Sequence, residues 1–135
     1  MSEDKPICVL DASALLAWLQ REPGADKVEH ALLADRCLLS AVNFSEVIAK
    51  LADYGVEAGP QLAASLESIG VEIVPFSQEH GWLAGALRQQ TRVAGLSLGD
   101  RACIALAQAQ QATVLTTDKA WLSLGLPLVC VDIRQ

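Results

Sequence analysis

No stretch of this 135-residue chain approaches the ~20 consecutive apolar residues of a membrane-spanning helix, although 52% of its residues are hydrophobic and its mean hydropathy is +0.32. That hydrophobicity is read instead as a well-filled core. A chain of this length buries roughly two-thirds of its unfolded surface in one core, so a single domain over residues 1–135 is expected. The opening residues MSEDKPICVL have neither the basic start nor the small-residue cleavage site of a secretory signal, and a cytoplasmic protein is expected. Cys8, Cys37, Cys103 and Cys130 form no CxxC pair and each lies in an apolar segment. This excludes a disulfide framework or a thiolate metal site and points to free core thiols. His30 and His80 have no HxxxH spacing, which excludes a histidine-ligated metal and leaves both as expected surface or edge residues. GxGxxG and GxxxxGK[ST] are missing too, so no loop is built to cradle a nucleotide. Internal repeats, low-complexity tracts and linkers are likewise lacking.

Basic residues are scarce, with 10 Lys and Arg against 16 Asp and Glu for a net charge of −6. A nucleic-acid partner normally shows as a basic excess. The objection weakens if four of the acids are metal ligands, because bound divalent cations would neutralise that part of the charge.

What the chain does have is alternation. Ile7 to Leu10 reads as a strand, Asp11 to Ser13 as a turn, and ALLAWLQRE as a helix. Pro23-Gly24 breaks the chain before a helix over Ala25 to Leu33. Cys37 to Ser40 is a second strand, Asn43 opens a helix that Gly55 ends, and Glu57 to Ser68 is another helix. Val71 to Pro75, Thr113 to Thr116 and Leu128 to Val131 complete the strands, with helices over Gln78 to Gln90, Leu98 to Gln110 and near Ala120. The order implies an α/β fold, a parallel sheet of four to five strands covered by helices on both faces.

In such a sheet each helix starts at the edge where strands end, which is where ligands bind. Asp11 follows the first strand and Asp118 the fourth, while Glu46 and Asp100 lie in the opening turns of helices. Each has a plain structural reading as well. Asn43-x-x-Glu46 and Ser97-x-x-Asp100 resemble capping boxes, and Asp11 and Asp118 resemble N-caps worth ~1 kcal/mol each. Capping alone does not require four anions to converge, and their repulsion calls for a cation. An all-oxygen ligand set suits Mg²⁺ or Mn²⁺ rather than Zn²⁺.

Asp11 in VLDASALLAWL, Glu46 in NFSEVIAKL, Asp100 in LSLGDRACIALA and Asp118 in LTTDKAW together resemble the PIN domain, specifically the VapC-type toxin ribonucleases. The resemblance spans nearly the whole chain. It implies a PIN-like three-layer sandwich, endoribonuclease activity with one or two Mg²⁺ or Mn²⁺ ions, products with 5′-phosphate and 3′-hydroxyl ends, a homodimer, and inhibition by a VapB-type antitoxin. Asp11, Glu46, Asp100 and Asp118 match the family's four acids, as catalytic residues and metal ligands. Ser13 and Thr117 match supporting hydroxyl residues, and Trp121 an aromatic that packs. Arg88, Arg92, Arg101 and Lys119 are candidate phosphate contacts. Two helix pairs near the N-terminal half, with Trp18, Leu19, Leu32, Leu33, Phe44, Val47, Leu51, Leu62 and Leu66, offer more apolar side chains than one face of a small sheet covers, which suggests an interface.

Two other phosphate chemistries fit less well. A haloacid-dehalogenase-type phosphatase would carry a second Asp at the position of Ser13, and a receiver domain an acidic pair after the first strand. The alternative from another class is a catalytically silent PIN-like module that binds RNA or protein.

Overall fold

The computed structural model describes residues 5–135. Five strands, β1 (Ile7–Leu10), β2 (Arg36–Ser40), β3 (Val71–Val74), β4 (Thr113–Thr116) and β5 (Cys130–Asp132), form one sheet in the order β3-β2-β1-β4-β5. All four neighbouring pairs are parallel. The helices are α1 (Ala12–Leu19), α2 (Ala25–Ala34), α3 (Ala41–Asp53), α4 (Pro60–Ser68), α5 (Gln78–Ala86), α6 (Arg88–Thr91) and α7 (Leu98–Gln110), with a 3-10 helix over Lys119–Ser123.

Strand alternation divides the core in two. Cys8, Leu10, Cys37, Leu39 and Leu115 point to one face, where Leu15, Val28, Val47 and Leu66 of α1 to α4 cover them. Val9, Leu38 and Val114 point to the other, against Cys103, Ile104, Leu106 and Ala107 of α7 and against Trp121. Period-2 side chains thus produce the three-layer arrangement. The strand order turns back between β1 and β4, so the crevice at their carboxyl ends is the natural ligand position of the fold.

Several expected boundaries shift. The third helix opens at Ala41 rather than Asn43, because Ser40, the last residue of β2, already supplies the cap: its Oγ accepts from the Val42 N–H at 3.2 Å. The fourth starts at Pro60 rather than Glu57, with Gly59 in front of it at φ +62° and proline in the first turn, where a missing N–H costs nothing. The expected helix over Gln78 to Gln90 is interrupted at the buried Leu87. The last strand starts two residues later than expected, at Cys130, and ends one residue later, at Asp132.

His30 is exposed as expected, but His80 is buried on α5 with its ring edge-on to Phe76 at 6.2 Å. The four thiols are free, three of them buried, and Cys8 stands opposite Cys37 across β1 and β2. Val47 and Leu66, counted above as available for an interface, are core residues, whereas Leu33 is 75% exposed. Among the described residues no helix is long and apolar enough to cross a membrane.

Candidate active site

Asp11 stands where β1 becomes α1 and does two jobs there. As N-cap, its Oδ1 accepts from the Ala14 N–H at 2.8 Å, and the same oxygen accepts from Ser13 Oγ at 2.7 Å. Its Oδ2 accepts from Thr116 Oγ1 at 2.6 Å. Only 5% of the residue is exposed, and no basic side chain pairs with it among the described residues. Burial therefore pushes its pKa from 3.8 up to about 6. The three hydrogen bonds pull the other way, and the charge of Asp100 adds to the rise.

The register explains the Thr116 contact. Leu10 lies beside Leu115, so the next residues, Asp11 and Thr116, meet at the end of the β1/β4 pair. Thr116 Oγ1 also accepts from the Asp118 N–H at 3.0 Å, so one hydroxyl joins Asp11 to the turn carrying Asp118. The hydroxyl at the end of β4 that bonds Asp11 is thus that of Thr116, next to the expected Thr117. Thr117 contributes its backbone, whose N–H donates to Ser13 Oγ at 3.0 Å. Asp118 is exposed and caps the 3-10 helix, Oδ1 accepting from the Ala120 N–H at 3.0 Å.

Glu46 lies against Gly99, the residue before Asp100, across α3 and α7. Glu46 is half-buried on α3, and its Oε1 accepts from Asn43 Nδ2 at 2.8 Å. Asn43 is 1% exposed, and its Nδ2 also donates to the Gly99 carbonyl at 3.0 Å. A Cβ on Gly99 would overlap the Glu46 carboxylate, so glycine here leaves room for Glu46 in this pose, and a larger residue would displace it. Asp100 is next in the chain and completes the expected capping box: its N–H donates to Ser97 Oγ at 3.1 Å, and its Oδ2 accepts from the Ser97 N–H at 3.0 Å. Asn43 and Glu46, by contrast, form no such box, because Asn43 sits inside the helix and bonds the Glu46 side chain.

Electrostatics ties the groups together. The buried Cys103 thiol, three residues past Asp100, is raised well above its ordinary pKa by desolvation and then by the fields of Asp11, Asp100 and Glu46 among others. None of the four acids forms an ion pair among the described residues. Nor, among those residues, are three histidine, cysteine or acidic side chains already gathered as a ready-made ligand cluster. A fifth acid also lies at this edge: Asp132 ends β5 opposite Thr116, is 6% exposed, and accepts from the Arg134 N–H at 3.0 Å. Ending the strand at Val131 had hidden it.

The basic candidates are distributed unevenly. Arg88, Arg92 and Lys119 are exposed, whereas Arg101 Nη1 donates to the Ala84 carbonyl at 3.0 Å and pins α7 to α5. Trp121 packs as expected, 1% exposed.

A family model for the PIN domain matches residues 8–125, a span that begins with β1 and closes after the turn carrying Asp118. The chain belongs to the PIN domain family. Solved PIN-like structures overlay on nearly its full length. A toxin-antitoxin complex from Klebsiella pneumoniae aligns with a TM-score of 0.71 at 20% identity, covering 93% of this chain and 97% of that one. VapBC-1 from nontypeable Haemophilus influenzae gives 0.71 at 19% identity, over 96% and 99%. VapBC2 from Rickettsia felis, bound to a promoter DNA fragment, gives 0.69 at 18% identity, over 93% and 97%. No curated protein shows a significant sequence match. Asp11 and Asp118 are N-caps and Asp100 completes a capping box, so the capping reading of these three holds, and capping leaves a site role open to each.

Proposed function

We propose that this PIN domain is a Mg²⁺- or Mn²⁺-dependent endoribonuclease that hydrolyses RNA phosphodiester bonds, and that it is the toxin of a VapBC-type toxin-antitoxin pair. The observation that carries this reading is Asp11, a carboxylate 5% exposed with no cationic partner among the described residues. Burying an unpaired charge is costly, and a bound dication offsets that cost. The donor set fits such an ion: carboxylate oxygens only, with a seat at Gly99 shaped around the Glu46 side chain.

Asp11, Glu46, Asp100 and Asp118 would hold one or two dications. When bound, these supply an activated water, a polarised phosphate and a stabilised leaving oxygen. The chain's own work is preorganisation. Ser13 and Thr116 fix both oxygens of Asp11, and Asn43 fixes one oxygen of Glu46. Capping hydrogen bonds fix one oxygen of Asp100 and one of Asp118. Arg88, Arg92 and Lys119 are free to meet substrate phosphates, while Arg101 holds α5 in place. No histidine or serine nucleophile is called for.

The partner assignments rest on the fold's company. Its structural neighbours were solved as toxin-antitoxin complexes, which supports a VapB-type antitoxin for this chain. The exposed Leu33, with Trp18, Leu19 and Leu32 only partly covered, supports a homodimer. A cytoplasmic site of action is part of the same proposal. A silent binding module is favoured by one observation, the lack of a pre-gathered ligand cluster among the described residues. Purified protein incubated with RNA decides between the two. Cleavage with Mg²⁺ or Mn²⁺ that stops in EDTA is expected, cleavage indifferent to chelation overturns the metal mechanism, and no cleavage under any metal leaves the binding module.

A further inference from the structure

We infer that Asn43 is a positioning residue that holds Glu46 in its metal-binding pose and locks it to the first turn of α7. The inference rests on the proposed metal-dependent reading of the site. Asn43 is 1% exposed in the first turn of α3, where a buried polar side chain costs stability unless its hydrogen bonds are made elsewhere. It caps nothing, since Ser40 has that role. Both bonds from its Nδ2 go to the site: to Glu46 Oε1 at 2.8 Å and to the Gly99 carbonyl at 3.0 Å.

The geometry is specific to an amide. One NH₂ group must satisfy a carboxylate on its own helix and a carbonyl 56 residues away on another, and only a group with two donor hydrogens does both. A carboxylate here would repel Glu46, and a hydroxyl has one hydrogen to give. Gly99 contributes by omission, because the space a Cβ would take is filled by the Glu46 carboxylate. Asn43 and Gly99 thus act on one side chain from two directions. Glu46 is left with Oε2 uncommitted, and Asp100 is the residue after the carbonyl that Asn43 grips. Asn43 Oδ1 is itself buried without a hydrogen-bond partner, so the side chain is held through its Nδ2 alone.

The test is a titration of RNA-free protein with Mn²⁺, followed by calorimetry or by loss of the free-ion electron paramagnetic resonance signal. Asn43→Ala is compared in two backgrounds, the natural chain and Glu46→Gln. Removing a partner that orients a metal ligand typically weakens metal affinity about 10- to 100-fold, and that loss is expected in the natural background. If Asn43 works through Glu46, the same substitution in Glu46→Gln changes affinity by less than about 3-fold. A purely structural role would not move affinity in this background-dependent way. Asn43→Ser, which stays polar but has only one hydrogen to give, is the second variant should Asn43→Ala fold poorly, and the same background-dependent loss is expected. Unchanged affinity in the natural background, or equal losses in both backgrounds, overturns the inference while leaving the metal site in place. A natural chain that binds no Mn²⁺ overturns the proposed function and this inference with it.

Discussion

Replacing Asp11 by asparagine should make the metal-free protein more stable at neutral pH and less able to bind metal. The folded pKa of about 6 lies about 2 units above the unfolded value of 3.8, and at about 1.4 kcal/mol per unit this is about 3 kcal/mol. The sign follows from proton binding. Between the two values the folded chain holds a proton that the unfolded chain has released, so stability contributed at this position falls as pH rises from about 4 to about 6 and stays low above that. Because the carboxylate is buried, solvent screening takes little away. Asparagine keeps the oxygen that caps α1 but turns an NH₂ towards Thr116 Oγ1, which already accepts from the Asp118 N–H, so about 1 kcal/mol is returned. The net gain is about 2 kcal/mol at about pH 8, roughly 6 °C in Tm for a domain of this size. At about pH 4 most of the gain disappears, and the lost hydrogen bond leaves the variant level with the natural chain or slightly below it. Thermal and urea unfolding in EDTA at the two pH values reads this directly. Excess Mg²⁺ should then invert the order at about pH 8 by raising the natural chain alone. An Asp11→Asn variant destabilised equally at both pH values would refute the reasoning, since the carboxylate would then be a net stabiliser.

Three other outcomes follow. Asp100→Asn keeps an oxygen for the Ser97 N–H, so RNA cleavage should collapse by two or more orders of magnitude while the melting temperature holds. A large stability loss with cleavage retained would leave capping as its only role. Thr116→Val removes the bond to Asp11 and leaves the Asp118 N–H without its acceptor, at a cost of about 1–3 kcal/mol by urea unfolding, and should weaken Mn²⁺ binding by about 10-fold or more in calorimetry. Sedimentation at micromolar concentration should give a dimer that Leu33→Glu shifts towards monomer.

The parts legible in the sequence were those written locally. Ile7 to Leu10 followed at once by Asp11 marks a strand end and a helix start within five residues, and Ser97-x-x-Asp100 names its own capping partners. What escaped depends on where separate segments meet. Thr116 was passed over for Thr117 because only the β1/β4 register shows that Thr116 comes beside Asp11. Asn43 passed for a cap because a serine three residues earlier, assigned to the strand, took that place. Gly99 was visible in LSLGD, but its meaning lies in a side chain from another helix. His80 was expected outside because its polarity hides that its helix turn faces inward.

Asp11 and Asp118 each cap a helix start and Asp100 completes a capping box, whereas Glu46 caps nothing. This division has an evolutionary consequence. A lineage that abandoned cleavage would still pay in folding for discarding any of the three aspartates, so they would persist in an inactive descendant. Glu46 would be released from selection at once, and with it the need for glycine at position 99. The pair of positions 46 and 99 is therefore the place to look for the scar of lost activity, and a relative with all three aspartates but a bulky residue at 99 should be read as retired.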